Sequence, residues 1–215
     1  MPRVVAAFVI SCAMLGAIDA RAASCETEAT ELRAHLEDES GRARRWNTIW
    51  SILFGAAAVG QLALALAEVN PTGGDFDTDA EESLYVGATK ATLALGSKLV
   101  LPLRISVPAP ASDSCADVQA LRAALADAGI RERRSFWFTH LGGLAVNIAG
   151  ATLLTIRRSF KVGAISFALS FPVGPASAYT QPRRSWKLWR ERRASWLVGA
   201  SGDGDGARLW IGGQW

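Results

Sequence analysis

The stretch Arg42–Val69, RARRWNTIWSILFGAAAVGQLALALAEV, decides the fold. Between Arg45 and Glu68 it has 22 residues without a charge or a proline, most of them Ala, Leu, Ile, Val or Gly. About 20 such residues are enough to cross the hydrocarbon core of a bilayer as a helix. The stretch therefore predicts a transmembrane helix over approximately Trp46–Ala67, and with it a mainly α-helical membrane protein.

The same pattern occurs a second time along the chain. The segment ELRAHLED at 31–38 matches ALRAALAD at 120–127, and at the same offset of 89 residues the basic cluster RARR matches RERR. An apolar stretch follows each basic cluster. Such repetition is a clue to internal duplication. We predict two units, 23–105 and 106–182, each with an amphipathic helix followed by two spanning helices; chance similarity between Ala/Arg/Leu-rich helices is the alternative.

The organisation in two units gives four predicted spans. After the first, they cover Leu84–Leu103, Phe136–Ile156 and Val162–Tyr179. Five polar residues inside these spans form a candidate polar seam: Gln61, Lys90, Lys98, His140 and Asn147. Charged residues at membrane depth are costly and usually face a bundle interior or water.

Two interpretations of this seam are open. It could line a path for anions or protons in a small permease or channel. The alternative is that these residues make hydrogen bonds between helices or reach towards the membrane surface. We favour the second interpretation, because no predicted span carries a carboxylate for a proton relay.

The N-terminus has the layout of a secretory signal peptide, 1–22. A basic start is followed by the apolar run Val4–Ile18 and by an A-x-A site ending at Ala22. Cleavage there would leave Cys25 and Cys115, which open the two predicted units. We predict a disulfide between them, which requires an oxidising compartment.

The C-terminal part contains two further predicted elements. The segment 183–196 is a basic helix with Trp186, Trp189 and Trp196 on one side, typical of a helix in the headgroup layer of an anionic membrane. A basic tail that only stops translocation is the alternative. The segment 197–215 is a β-hairpin around the turn GDGDG.

The signals for sidedness conflict. With four spans, 16 Lys and Arg residues lie on the side of the amphipathic helices and 3 on the other side. The positive-inside rule places the larger group in the cytoplasm, whereas the signal peptide and the cysteines place it in the periplasm. We predict the bacterial inner membrane with periplasmic amphipathic helices.

An outer-membrane β-barrel is the alternative fold and location, because barrels need not follow the Lys/Arg rule. Large and small residues alternate over Val162–Pro172, and the chain ends in an aromatic residue, as barrel strands often do. The length of the first apolar stretch, without a turn, argues against this fold.

No motif for catalysis, metal binding or a cofactor is present, and His140 has no acidic partner in the neighbouring spans. We therefore expect a non-enzymatic protein of the bacterial envelope with a scaffold or accessory role. Its expected partners are the lipid bilayer, with anionic headgroups, and a protein partner or a second copy of the chain. We expect no nucleic-acid partner, since the basic clusters lie beside spans.

Overall fold

The computed structural model describes 23–67 and 79–191 in full. For 2–22, 78, 192–193, 196–203 and 206–213 it describes the backbone alone. The predicted signal peptide, 1–22, lies outside the residues whose side chains are described, and it stays a prediction.

The chain is mainly helical, which confirms the predicted fold class at that level. The helices are α1 (Pro2–Leu66), α2 (Thr78–Val100), α3 (Ser114–Arg157), α4 (Phe160–Ser170), α5 (Val173–Tyr179) and α6 (Arg184–Arg193). Two strands follow, β1 (Trp196–Asp203) and β2 (Gly206–Gly213), which pair antiparallel with Val198 opposite Ile211.

Three helical segments are long and apolar enough to cross a membrane. They are Ala23–Leu66 of α1, the whole of α3, and Phe160–Tyr179, which comprises α4 and α5. The first two have 44 residues each, more than twice the number that a bilayer requires. The predicted membrane location therefore rests on three helices, and α2 is not among them.

Each long helix combines an amphipathic part and an apolar part that the sequence presents as separate elements. Neither 23–66 nor 114–157 contains a proline, and the Arg-rich clusters between the two parts are good helix formers. Hydrogen bonding therefore continues through both parts. α3 ends at Arg157, and Ser159 caps the next helix by accepting a hydrogen bond from the N–H of Val162 at 3.3 Å.

The predicted spans Leu84–Leu103 and Val162–Tyr179 each depart from a continuous apolar helix, in different ways. α2 has 23 residues, but it carries two lysines and begins with acidic residues, which lower its apolar character. It ends at Val100 because Pro102 disfavours helical geometry in the residue before it. The fourth predicted span is interrupted between α4 and α5 at Phe171 and Pro172, where proline has no N–H to donate.

The alternative fold, an outer-membrane barrel, has no support in the described part of the chain, which forms no barrel. The alternating segment Val162–Pro172 lies mostly within α4. Leu62, Leu64 and Leu66 alternate with alanines, which is also typical of a barrel strand, and they lie within α1. Their small and large side chains suit a helix equally well. A helix satisfies its backbone hydrogen bonds within one segment, whereas a strand in a membrane needs neighbouring strands.

The chain divides into two compact units. Unit 1 comprises Met1–Ser40, Ile105–Gly129 and Arg184–Trp215, and unit 2 comprises Gly41–Arg104 and Ile130–Arg183. Each unit therefore combines corresponding parts of the two predicted copies: the amphipathic helices are in unit 1, and the apolar helices are in unit 2.

Unit 1 contains two helical segments with buried faces that match at the offset of 89 residues. The buried positions are Ala29, Leu32, Leu36 and Glu39 in α1, and Val118, Leu121, Leu125 and Ala128 in α3. The predicted cysteines, Cys25 and Cys115, are joined by a disulfide in the structure.

In unit 1, the residues of one ion pair correspond to those of another at the offset of 89 residues. Arg33 Nη2 lies 2.9 Å from Asp117 Oδ1, and Arg122 Nη2 lies 2.6 Å from Glu28 Oε2. Arg33 corresponds to Arg122, and Glu28 corresponds to Asp117. Each pair is therefore the counterpart of the other, as in the interface of a two-fold symmetric dimer.

α6 belongs to unit 1 and begins beside a buried carboxylate. The N–H of Arg184, the first residue of α6, donates to Glu39 Oε2 at 3.4 Å. A negative charge at a helix N-terminus is favourable. Further along α6, the backbone around Trp186 and Trp189 lies close to Gly129, where a Cβ would come within 3.1 Å of Trp189 Cβ.

Polar contacts between helices and connecting segments hold unit 2 together at one end. Trp46 Nε1 donates to the carbonyl of Ser177 at 3.1 Å. Asn47 donates to the carbonyl of Leu103 at 2.9 Å and accepts from the N–H of the same residue at 3.2 Å. These bonds satisfy backbone groups where the chain leaves α5 and α2.

Candidate functional site

Unit 2 contains a cavity of about 870 Å³, here called the α2 cavity. One face of α2 lines it from Asp79 to Lys98, and residues of α1, α3, α4 and α5 form the other walls. At 1.5 Å per residue this face is about 29 Å long, close to the hydrocarbon thickness of a bilayer. The volume lies in the upper part of the range of about 300–1,000 Å³ that is usual for small-molecule sites.

Lys90 is the charged group near the middle of the α2 cavity. Its Nζ donates to Ser170 Oγ at 3.0 Å and to Ser166 Oγ at 3.3 Å. Its stem lies against α3, because a Cβ at Gly150 would come within 2.9 Å of Lys90 Cδ. Both hydrogen-bond partners are neutral, so they solvate the ammonium without neutralising it.

Lys98 lines the same cavity near the end of α2 and is 6% exposed. Its Nζ donates to Thr139 Oγ1 at 3.3 Å and lies 3.7 Å from the centre of the Trp46 ring. The face of an indole attracts a cation. The charge of Lys98 is therefore stabilised by an aromatic ring, unlike that of Lys90.

Two further seam residues, Gln61 and Asn147, line the α2 cavity. Gln61 donates to the carbonyl of Ala57 at 3.1 Å, and its amide lies against Gly87. Asn147 Nδ2 donates to the carbonyl of Ser170 at 3.4 Å, so it lies beside the serine that also binds Lys90.

His140, the fifth seam residue, does not line the cavity. Its ring stacks on Phe136 with centroids 6.0 Å apart and meets Tyr179 edge to face at 6.1 Å. The guanidinium of Arg183 lies 5.1 Å from the Phe136 ring. The structure thus brings four of the predicted seam residues together and places the fifth in an aromatic cluster.

The opposite end of unit 2 carries an ion-pair cluster outside the predicted spans. Glu82 lies 2.9 Å from Arg158 Nε and 3.2 Å from Arg157 Nη2. The hydrogen bond from Arg158 holds the pKa of Glu82 below its ordinary value of 4.5, although desolvation opposes this effect. The cluster joins the start of α2 to the end of α3.

The residues predicted for the membrane interface have a mixed outcome. Trp186 and Trp189 are half-buried, and they lie in α6 beside Gly129. The side chain of Trp196 lies outside the described part of the chain. Their role at a membrane interface stays a prediction.

The sequence interpretation missed Ser166, Ser170 and Thr139, which contact the two lysines. A signal for the serines was present. Val86-Gly87-Ala88 recurs as Val162-Gly163-Ala164, and at the same offset Lys90 corresponds to Ser166. These corresponding residues touch each other in the structure.

Comparison of the chain with models of protein families, with curated proteins and with solved structures gives no match. Among the residues that the structure describes, no cluster of three or more His, Cys, Asp or Glu could hold a metal ion. The geometry of the two units is therefore the basis for a function.

Proposed function

We propose that the chain is a non-enzymatic integral membrane protein of the bacterial cell envelope with a scaffold or accessory role. In this proposal it has four spans, in α1, α2, α3 and the pair α4–α5. The duplication and the C-terminal hairpin, 197–215, are part of the proposal.

The observation that supports four spans is that unit 1 is formed by three separate segments of the chain. Its three chain segments belong to one compact body, and the disulfide between Cys25 and Cys115 joins two of them. If α1 crosses the membrane once between these cysteines, the chain has to cross back before Cys115. α2 is the helix available for this return, and α4–α5 returns the chain after α3 in the same way.

The pairing of charges in unit 1 supports a scaffold role. Arg33 and Arg122 are engaged by acidic partners, and Arg184 Nη1 lies 3.2 Å from Asp38 Oδ2. A group held in such a pair stabilises structure rather than presenting a reactive proton. His35, within 3.3 Å of Ser185 Oγ, is likewise part of a structural contact.

Anionic lipid headgroups are the proposed partners of the basic clusters. Arg44, Arg45, Arg133 and Arg134 are exposed where the apolar parts of α1 and α3 begin. Each basic residue near an anionic surface contributes about 1 kcal/mol of attraction. We place the protein in the inner membrane with its amphipathic helices in the periplasm; the outer-membrane alternative rested on the barrel.

The redox state of the cysteines in intact cells tests this proposal. Alkylation of Cys25 and Cys115 with an impermeant maleimide should require prior reduction, because the periplasm is oxidising. Thiols that are free, and protected from the reagent until the cells are lysed, would contradict the periplasmic placement. A C25A/C115A chain controls for labelling of other proteins.

A small permease or channel is the second candidate, and the α2 cavity favours it. Four of the five predicted seam residues line one volume that extends along nearly the whole of α2. Changing both Lys90 and Lys98 to Met should abolish flux of an anion at unchanged protein level if this candidate is correct. Unchanged flux, or altered assembly without altered flux, supports the scaffold.

A further inference from the structure

We propose that the α2 cavity binds a single-chain amphiphilic anion, with its anionic group on Lys90 and its apolar chain along the face of α2. This inference goes beyond the scaffold role. It is also compatible with a permease, because a permease would hold its substrate in the same cavity.

The shape and lining of the cavity favour a ligand with an apolar chain. It is long and narrow, because about 870 Å³ extends from Asp79 to Lys98. Most of its wall is apolar, including Leu84, Val146 and Ile165. A small inorganic anion would leave most of this wall without contacts, whereas an acyl chain would fill it.

Lys90 has hydrogen-bonding capacity left for a ligand. An ammonium has three N–H donors, and two of them are used by Ser166 and Ser170. In the described part of the chain the structure provides no acceptor for the third. Since Lys90 lines the cavity, this third N–H is available to a ligand there.

The charge of Lys90 favours an anionic ligand. The ion pairs among the described residues include neither Lys90 nor Lys98, yet both lie inside α2. With α2 as a span, which is part of the proposed function, a charge at this depth is unfavourable unless it is paired. An anion beside Lys90 would neutralise it through a charge-assisted hydrogen bond.

Lys90 is the better anion site of the two lysines. The ammonium of Lys98 lies over the Trp46 ring and is bonded to Thr139, so its charge is already stabilised within the protein. Lys90 has neutral hydroxyl partners alone. Its stem is positioned by Gly150, where a Cβ would also come within 3.1 Å of Val86 Cγ1.

The test uses the full chain in nanodiscs of phosphatidylcholine, which has no net charge. A photoactivatable long-chain fatty acid is crosslinked to the protein, and the labelled peptides are mapped. We expect labelling of α2 and α4. Oleate should compete about tenfold or more better than oleyl alcohol, which has the same chain without the charge.

Variants locate the anionic group. K90M should reduce labelling about tenfold, and G150A should also weaken it by displacing the lysine stem. K187M is the matched control, because it removes the charge of an exposed lysine on α6 of unit 1 that does not line the cavity, and it should keep labelling within about twofold of the native chain.

Three results would overturn the inference. They are equal competition by oleate and oleyl alcohol, unchanged labelling of K90M, and displacement of the probe by acetate as effectively as by oleate. The comparison of oleate with its alcohol needs no variant, so it decides the matter even if K90M does not fold. None of these results bears on the scaffold role or on the periplasmic placement of unit 1, which the redox state of the cysteines tests.

Discussion

Units 1 and 2 draw on the same two helices, α1 and α3, but their surfaces have opposite character. In unit 1 the buried stripe is narrow and the remaining positions carry charges, several of them in ion pairs. In unit 2 large apolar residues face outward, as at Ile156, which is 78% exposed, and Leu169, which is 77% exposed. A water-exposed unit buries its apolar side chains, whereas a unit in lipid can leave them on the surface.

The largest effect that we expect concerns the disulfide of unit 1. The C25A/C115A variant loses a cross-link between residues 90 apart in sequence. It should lower the free energy of opening of unit 1 by about 4 kcal/mol. Hydrogen exchange of the α3 amides measures this free energy of opening. We expect faster exchange over 115–129 in the variant and unchanged exchange over 136–156. Equal protection in both chains would show that the bond does not stabilise unit 1.

A matched pair of core truncations tests the difference in solvent. Leu121 in unit 1 and Leu154 in unit 2 are both fully buried. L121A should cost about 3 kcal/mol, whereas L154A should cost roughly half as much, because the unfolded state of unit 2 remains in lipid. Urea unfolding of unit 1 and detergent titration of unit 2 in mixed micelles provide the two values. A larger cost for L154A would contradict the placement of unit 2 in a membrane.

Two equivalent glycines in unit 2 give a smaller effect. A Cβ at Gly163 would lie 2.6 Å from the carbonyl oxygen of Ala151, so G163A has to separate α4 from α3, at a cost of about 2 kcal/mol. A Cβ at Gly87 would meet the amide of Gln61, which can turn away. G87A should therefore be almost neutral in the same detergent titration. A larger cost for G87A than for G163A would contradict the packing described here for Gly163 against α3 and for Gly87 against Gln61.

The smallest effect is a pH dependence of unit 1. The hydrogen bond from Arg33 holds the pKa of Asp117 below its ordinary value of 3.8, against the effect of desolvation. A carboxyl group with a lowered pKa in the folded state contributes stability that is complete above its unfolded pKa. This contribution is lost as the pH falls through the lowered value.

The D117N variant tests this dependence. Its urea unfolding curves should lose less stability than those of the native chain between about pH 5 and pH 2. E31Q is the matched control, because it removes an exposed carboxylate of unit 1 that takes part in none of the described ion pairs, and it should leave the acid response of unit 1 unchanged. Identical pH profiles for D117N and the native chain would remove the ion pair as the cause.

The sequence predicted the helical class, the apolar stretches and the candidate residues of the seam. These follow from local properties: the length of an uncharged run, the absence of proline, and the repeated order of residues. It did not predict that each amphipathic helix continues into its span, because Arg42–Arg45 and Arg131–Arg134 are compatible both with a break and with a continuous helix. It also presented the two copies as successive modules, whereas each compact unit combines parts of both.

The candidate site could be predicted only in part, for a physical reason. Lys90 and Asn147 are recognisable as polar residues in apolar stretches, but their shared neighbour Ser170 is an ordinary small residue in any membrane helix. His140 has the same sequence signature as the other seam residues, yet rotation of α3 turns it towards Phe136 and Tyr179.

The sequence by itself determined that the chain has long apolar helices, where proline ends a helix, and that two segments match at an offset of 89 residues. Tertiary structure alone decided that Arg33 pairs with Asp117 while Arg122 pairs with Glu28, and that Lys90 and Lys98 line one volume. The physical reason is that hydrophobicity and backbone hydrogen bonding act along the chain. The partner of a charge and the shape of a cavity depend instead on the rotation and position of neighbouring helices.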